Sequence, residues 1–355
     1  MTTLTPAALP VVTDAQLDAL RTGRRHRSRR RTIAIVVMCA IVVVLFAAML
    51  MLGNTIYPVS DVLAVLAGQQ VPGASFTVGS LRLPRALTAV LAGIAFGVAG
   101  STFQTMLRNP LASPDVIGIT SGASAAAILS LIVLHWSSGA TMALALGAGI
   151  LTAVVIYLAA RGGESTGGRL ILIGIGVGAM LDAVVAYLLL RAAVWDLSVA
   201  ARWMTGSLNG SRMEDVPPLA IAVLVLVPVV LLLSRDLGAL ELGDASATAL
   251  GVRVDRSRVL LVVAAVALAC FATATTGPIA FVAFLAGPIA ARIVGPGAPV
   301  ILPAALTGAC LVLAADLLGQ FAFDTKFPVG VITGILGAPY LIYLLIRTSR
   351  RGGSS

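Results

Sequence analysis

Long apolar runs follow one another along this chain, with no alternation of polarity inside them. They fall at about Ile33–Leu52, Ala86–Met106, Val116–Leu134, Ala140–Ala160, Leu170–Leu190, Pro217–Leu233, Val300–Leu318 and Val329–Ile346. A helix of about 20 residues reaches ~30 Å, the thickness of a bilayer's hydrocarbon layer, so each run predicts one membrane span. A further run, Leu260 to Val294, would be ~52 Å long as a single helix, too long for one crossing. Gly277-Pro278 sits in its middle. Proline there loses a backbone donor and clashes with the preceding turn, so the run divides into two spans. Ten spans result, the eighth of them short. Strands of a membrane barrel would alternate in polarity, and these runs do not.

Ten spans put both termini on one side, and the basic residues then choose the side. Eighteen of the 24 Lys+Arg fall on the side of the termini, seven of them between Arg21 and Arg31. Both termini are therefore expected to be cytoplasmic. Residues 1–32 read as an Arg-rich cytoplasmic tail, flexible over 1–20, residues 33–347 as a ten-helix domain, and residues 348–355 as a short second tail. Gly93-x-x-x-Gly97 and Gly174-x-x-x-Gly178 predict close helix packing.

Composition narrows the class further. The chain is 59% hydrophobic and 11% charged, with mean hydropathy +1.02, where soluble chains are ~45–50% apolar and ~25% charged. Net charge +9 raises the question of nucleic acid, but the arginine run carries no interleaved aromatic residues and flanks the first span. Nucleic acid is thus not an expected partner; lipid is. Ser28-Arg29-Arg30-Arg31 resembles an export signal, yet the 20 apolar residues after it form a full span without a cleavage site.

Enzyme chemistry has little to build on. His26 and His135 are far apart, and Cys39, Cys270 and Cys310 sit singly in apolar runs, so no metal-site spacing is present. Lys326 is the only lysine, and Gly-x-x-x-x-Gly-Lys does not occur. Asp182 and Asp316 fall inside spans, where an ionisable group is costly. They suit either an ion-coupled secondary transporter or hydrogen bonding between helices. Two loops are more informative. Arg108-Asn109-Pro110-Leu111-Ala112-Ser113-Pro114 reads as a stiff turn between spans 2 and 3. Leu242 to Gly251, within the cytoplasmic segment 235–258, reads as a short helix with Asp244 in its first turn, suited to docking a partner.

From Ile33 to Arg347 the chain resembles the FecCD family, the permease subunits of bacterial vitamin B12 and iron-siderophore ABC importers. The resemblance is carried in order by Arg82-Leu83-Pro84-Arg85, by Gly100 to Gln104 leading into Arg108–Ala112, and by Gly118 with Ser121-Gly122-Ala123. Trp203–Leu208, Leu242–Gly251, Gly277–Val282, Pro328–Gly334 and Gly337-Ala338-Pro339 follow. The chain departs from the family's pattern at Gly287-Pro288, where relatives usually carry Pro-His or Pro-Gln, at Lys326-Phe327 and at Gln320.

The resemblance implies an all-α integral membrane protein with the type II ABC importer permease fold. It implies a second permease subunit, identical or not, two cytoplasmic ATPase subunits that bind ATP, and an extracytoplasmic substrate-binding protein. The cargo is expected to be a ferric siderophore, with haem or cobalamin the alternative; the iron arrives chelated, so no resident cofactor is expected. Arg82 and Arg85 would dock the binding protein, although position alone equally suits lipid anchoring. Leu242, Gly243, Asp244, Ala247, Leu250 and Gly251 would couple to the ATPase, with Asp244 capping or anchoring that helix. Asn109, Pro110 and Leu111 would gate a path lined by span 5, or form a plain tight turn.

Overall fold

The computed structural model describes residues 14–115, 118–160, 166–295 and 297–352. The parts of the two expected tails at 1–13 and 353–355, and the first residues of the third expected span, lie outside the described residues. Among the described residues seven helices are long and apolar enough to cross a membrane: α1 (Asp14–Met51), α3 (Leu83–Met106), α5 (Ser138–Ala160), α6 (Thr166–Arg191), α8 (Val216–Leu232), α11 (Val254–Thr276) and α13 (Ile301–Phe321); three more, α4 (Ile119–Leu129), α12 (Val282–Val294) and α14 (Val329–Gly352), have shorter apolar stretches. The connections carry short helices α2 (Val59–Leu66), α7 (Val194–Met204), α9 (Ser234–Glu241) and α10 (Asp244–Ala249). Wide π turns over Ser75–Arg82 and Ser130–Leu134 lead into α3 and extend α4.

Each of the ten expected spans thus coincides with an apolar helix, with the break at Gly277-Pro278 between α11 and α12, and α12 is short at 13 residues. Each span reverses the chain. The connections 107–118, 233–253 and 295–300 consequently share the face of the N-terminus, and 52–82, 192–215 and 322–328 share the opposite face.

Two helix ends depart from expectation. Residues 14–32 are the first five turns of α1, and α14 runs on to Gly352. Arginine is a good helix former and no proline interrupts Asp14 to Met51, so the charged run continues the span's helix instead of fraying into a tail. Arg30 is used structurally: its Nε and Nη2 each donate at 3.1 Å to the carbonyls of Ile293 and Arg292, filling acceptors that the end of α12 leaves open.

α3 forms the centre. Of its apolar window 78% is buried, against 17% for α6 and 22% for α5. It packs on α13, α11, α12 and α8. Gly93 and Gly97 face the α13 backbone at Gly308 and Ala304, where a β carbon on either would overlap main-chain atoms. Lipid gives helices no hydrophobic reason to associate, so this close approach supplies the attraction through packing. Gly174 and Gly178 of α6 lie against Gly118 at the start of α4. Both glycine pairs thus sit where their spacing predicted packing.

Candidate transport path and docking surfaces

The turn after α3 is built by its own residues. Asn109 N–H donates to the Gln104 carbonyl at 3.0 Å, and Ala112 N–H to the Asn109 carbonyl at 3.1 Å. The Asn109 side-chain oxygen accepts from Leu111 N–H at 2.9 Å, closing the turn locally. This turn stands between two cavities. A cavity of about 480 Å³ is bounded by Leu111, Ser113, Asp115, Phe281, Phe284 and Leu341. A second, of about 390 Å³, opens on the N-terminal face beside Gln104, Asn109, Pro110, Glu241, Gly287 and Pro288. Asn109 and Pro110 therefore border one space and Leu111 the other, where it packs with Phe281 and Phe284. Asp115 closes the same connection. Burial pushes its carboxyl up to about 6, partly offset by the Ser113 hydroxyl donating at 3.3 Å.

The short helix expected across Leu242–Gly251 is the six-residue α10, with Asp244 in its first turn; α9 precedes it, and the two join at Leu242-Gly243. Gly243, at φ 104°, allows the sharp corner between them, and Gly251, at φ 84°, ends α10. Leu242 and Leu250 are each 66% exposed, whereas Ala247 is fully buried. Ala247 belongs to the packed underside, not to a docking surface; six residues are too few for the sequence to reveal which side faces inward. Asp244 makes no side-chain cap. Its carboxylate accepts from Arg258 of α11 at 2.7 Å and lies 3.9 Å from Arg108 of the turn. A short exposed helix is thereby linked, through Asp244 and Arg108, to the turn between the cavities.

On the opposite face Arg82 and Arg85 are already engaged. Arg82 donates from Nη1 to the carbonyls of Leu50 and Met51 at 2.9 and 2.8 Å, and from Nη2 to Thr55 at 2.7 Å. It closes the end of α1, with its guanidinium 5.2 Å from the Tyr57 ring. Arg85 reaches Asp316 of α13 with two parallel bonds, and its Nη1 donates to Asn209 at 2.6 Å. Gln320 adds a further bond to Asp316 at 2.7 Å. Both guanidiniums thus spend most of their donors inside the fold, on helix-end carbonyls and a buried acid, and offer a partner only what remains. Nothing in the spacing of the sequence singled out Asn209.

Asp316 is the buried half of an ion pair. Asp182 differs: it lies on an exposed stripe of α6 with Ile175, Ala179 and Ala186. α6 is the expected fifth span, and its exposed side has room for a facing partner.

Comparison with known proteins accounts for this arrangement. The FecCD transport family matches residues 40–347. The chain is 42% identical over 326 residues to the ferric enterobactin transport system permease protein FepG of Escherichia coli, covering 91% of this chain and 98% of that protein. It is 40% identical over 334 residues to the achromobactin transport system permease protein CbrC of Dickeya dadantii, covering 92% and 95%. A solved inward-facing structure described as a metal-chelate type ABC transporter matches with TM-score 0.78 at 25% identity, covering 88% of this chain and 98% of that one. The chain thus belongs to the FecCD transport family and is a multi-pass permease of an ABC importer.

Proposed function

We propose that this permease carries a ferric siderophore across the inner membrane, with ATP hydrolysed by separate subunits. The observation that carries the reading is the turn at Asn109-Pro110-Leu111, set between two cavities and joined through Arg108 and Asp244 to an exposed helix. Such a turn can close a path, and the exposed helix can pass on the movement of a docked partner. Leu242 and Leu250 give that helix an apolar face for the ATPase. The ferric enterobactin and achromobactin permeases among its relatives support a chelated ferric cargo. The iron enters as part of the substrate.

The functional unit holds two permease subunits facing one another across α6, two ATPase subunits on the N-terminal, cytoplasmic face, and a substrate-binding protein on the opposite face. The excess of arginine on the N-terminal face supports that orientation. On the outer face Arg202, Arg212 and Lys326 are exposed and can meet an acidic docking surface alongside what Arg82 and Arg85 leave accessible.

Proteoliposomes holding the complete importer test the reading. Ferric enterobactin uptake that requires ATP inside the ATPase compartment is the expected result. Uptake driven by a proton or sodium gradient without ATPase subunits would overturn it and favour ion coupling through Asp182.

A further inference from the structure

Helix α12 contains a proline whose missing donor is replaced from another helix. Pro288 has no N–H, so the carbonyl of Phe284, one turn earlier, loses its helical partner. Phe284 is buried, and a buried carbonyl needs a donor. The side chain of Gln104 in α3 provides it: Nε2 donates to the Phe284 carbonyl at 2.9 Å, across 180 residues of sequence. Gly287 leaves the space, since a β carbon there would overlap Gln104 Oε1. The same Gln104 receives Asn109 N–H on its main-chain carbonyl, the bond that starts the turn.

One residue therefore holds α12 by its side chain and the turn by its backbone, where α12 and the turn together part the two cavities. We infer that Gln104 is a positioning residue for the gate, setting the register of the Pro288 bend against Asn109-Pro110-Leu111 so that the two close as one unit. This rests on the gate reading of the turn proposed above. A purely structural role would end with the satisfied carbonyl; a positioning role requires the tie between α3 and α12 itself.

The two roles separate in a pair of variants. Gln104→Leu removes the donor at similar volume. Adding Pro288→Ala returns a helical N–H to the Phe284 carbonyl but not the tie to α3. The readout is maleimide labelling of Leu111→Cys in the full-length permease in membrane vesicles, with Cys39, Cys270 and Cys310 replaced by alanine. Gln104→Leu is expected to label at least about tenfold faster than the parent. The Gln104→Leu/Pro288→Ala variant should regain thermal stability yet still label fast. Gly287→Ala, which crowds Gln104 without removing it, should act in the same direction if Gln104→Leu does not fold. Parent-like labelling in Gln104→Leu, in the double variant or in Gly287→Ala would overturn the inference. No cargo or ATPase is needed for this measurement. It can thus fail while ATP-driven uptake by the parent stands, whereas absence of that uptake removes the transport reading and this inference together.

Discussion

Arg85 holds Asp316 in a two-pronged grip, with Nε to Oδ2 at 2.8 Å and Nη2 to Oδ1 at 2.7 Å, and the carboxylate is wholly shielded from solvent. Removing one partner of such a pair strands a buried charge, a loss of about 3–5 kcal/mol, whereas replacing both by apolar groups of similar volume is often tolerated. Arg85→Ala and Asp316→Ala should each lower the apparent melting temperature of the detergent-solubilised permease markedly. Arg85→Met combined with Asp316→Leu should recover most of the loss. Single variants as stable as the parent would show that the pair does not brace α3 against α13.

The corner between α9 and α10 predicts two opposite outcomes. Leu242→Asp and Leu250→Asp alter exposed positions, so folding should change by no more than about 0.5 kcal/mol. ATPase association, read by co-purification, should be lost. Ala247→Lys forces a charge into a fully buried site and should instead abolish folded, membrane-inserted protein. Retained association in both leucine variants would move the docking surface elsewhere.

Asp115 predicts a pH dependence. Its carboxyl sits near 6 in the fold, above the ordinary value of 3.8, so the folded state binds the proton more tightly than the unfolded chain. That contribution is fully present below about pH 4, falls as pH rises to about 6, and is absent above. Asp115→Asn should be more stable than the parent at pH 7.5 and no more stable at pH 4. Parallel stability curves over that range would contradict the assignment.

The side-chain oxygen of Asn109 accepts Leu111 N–H, and a neutral hydrogen bond of this kind is worth about 1 kcal/mol. Asn109→Ala should loosen the turn and raise the ATP hydrolysed per cargo transported in proteoliposomes. Asn109→Asp, which keeps the acceptor, should stay near the parental ratio. Equal ratios in the two variants would reduce Asn109 to a spacer.

The spans were legible because lipid imposes their length, and Gly277-Pro278 carried the one division that length alone left open. The glycine pairs were legible for a related reason: a fixed i, i+4 spacing puts both on one side of a helix. Arg85 with Asp316 was not, since no local pattern reports a contact across 231 residues. Position near the layer edge made Arg82 and Arg85 read as outward charges, while their real partners, the end of α1 and a buried acid, came from distant segments. The arginine run misled differently: it was read for its charge, and its helical propensity passed unnoticed. Gln104 stood inside a recognised motif, but its task follows only from Pro288, which lies on another helix.

The burial of α3 sets an order of events during synthesis. Its partners α11, α12 and α13 are translated after it, and at about 5–20 residues per second the 231 residues between Arg85 and Asp316 take roughly 10–50 s. Until then the Arg85 guanidinium lacks its acid, and Gly93 and Gly97 lack the helix they pack against. The centre of the finished permease is thus completed only when the last third of the chain has been made, although its own helix is among the first to be inserted.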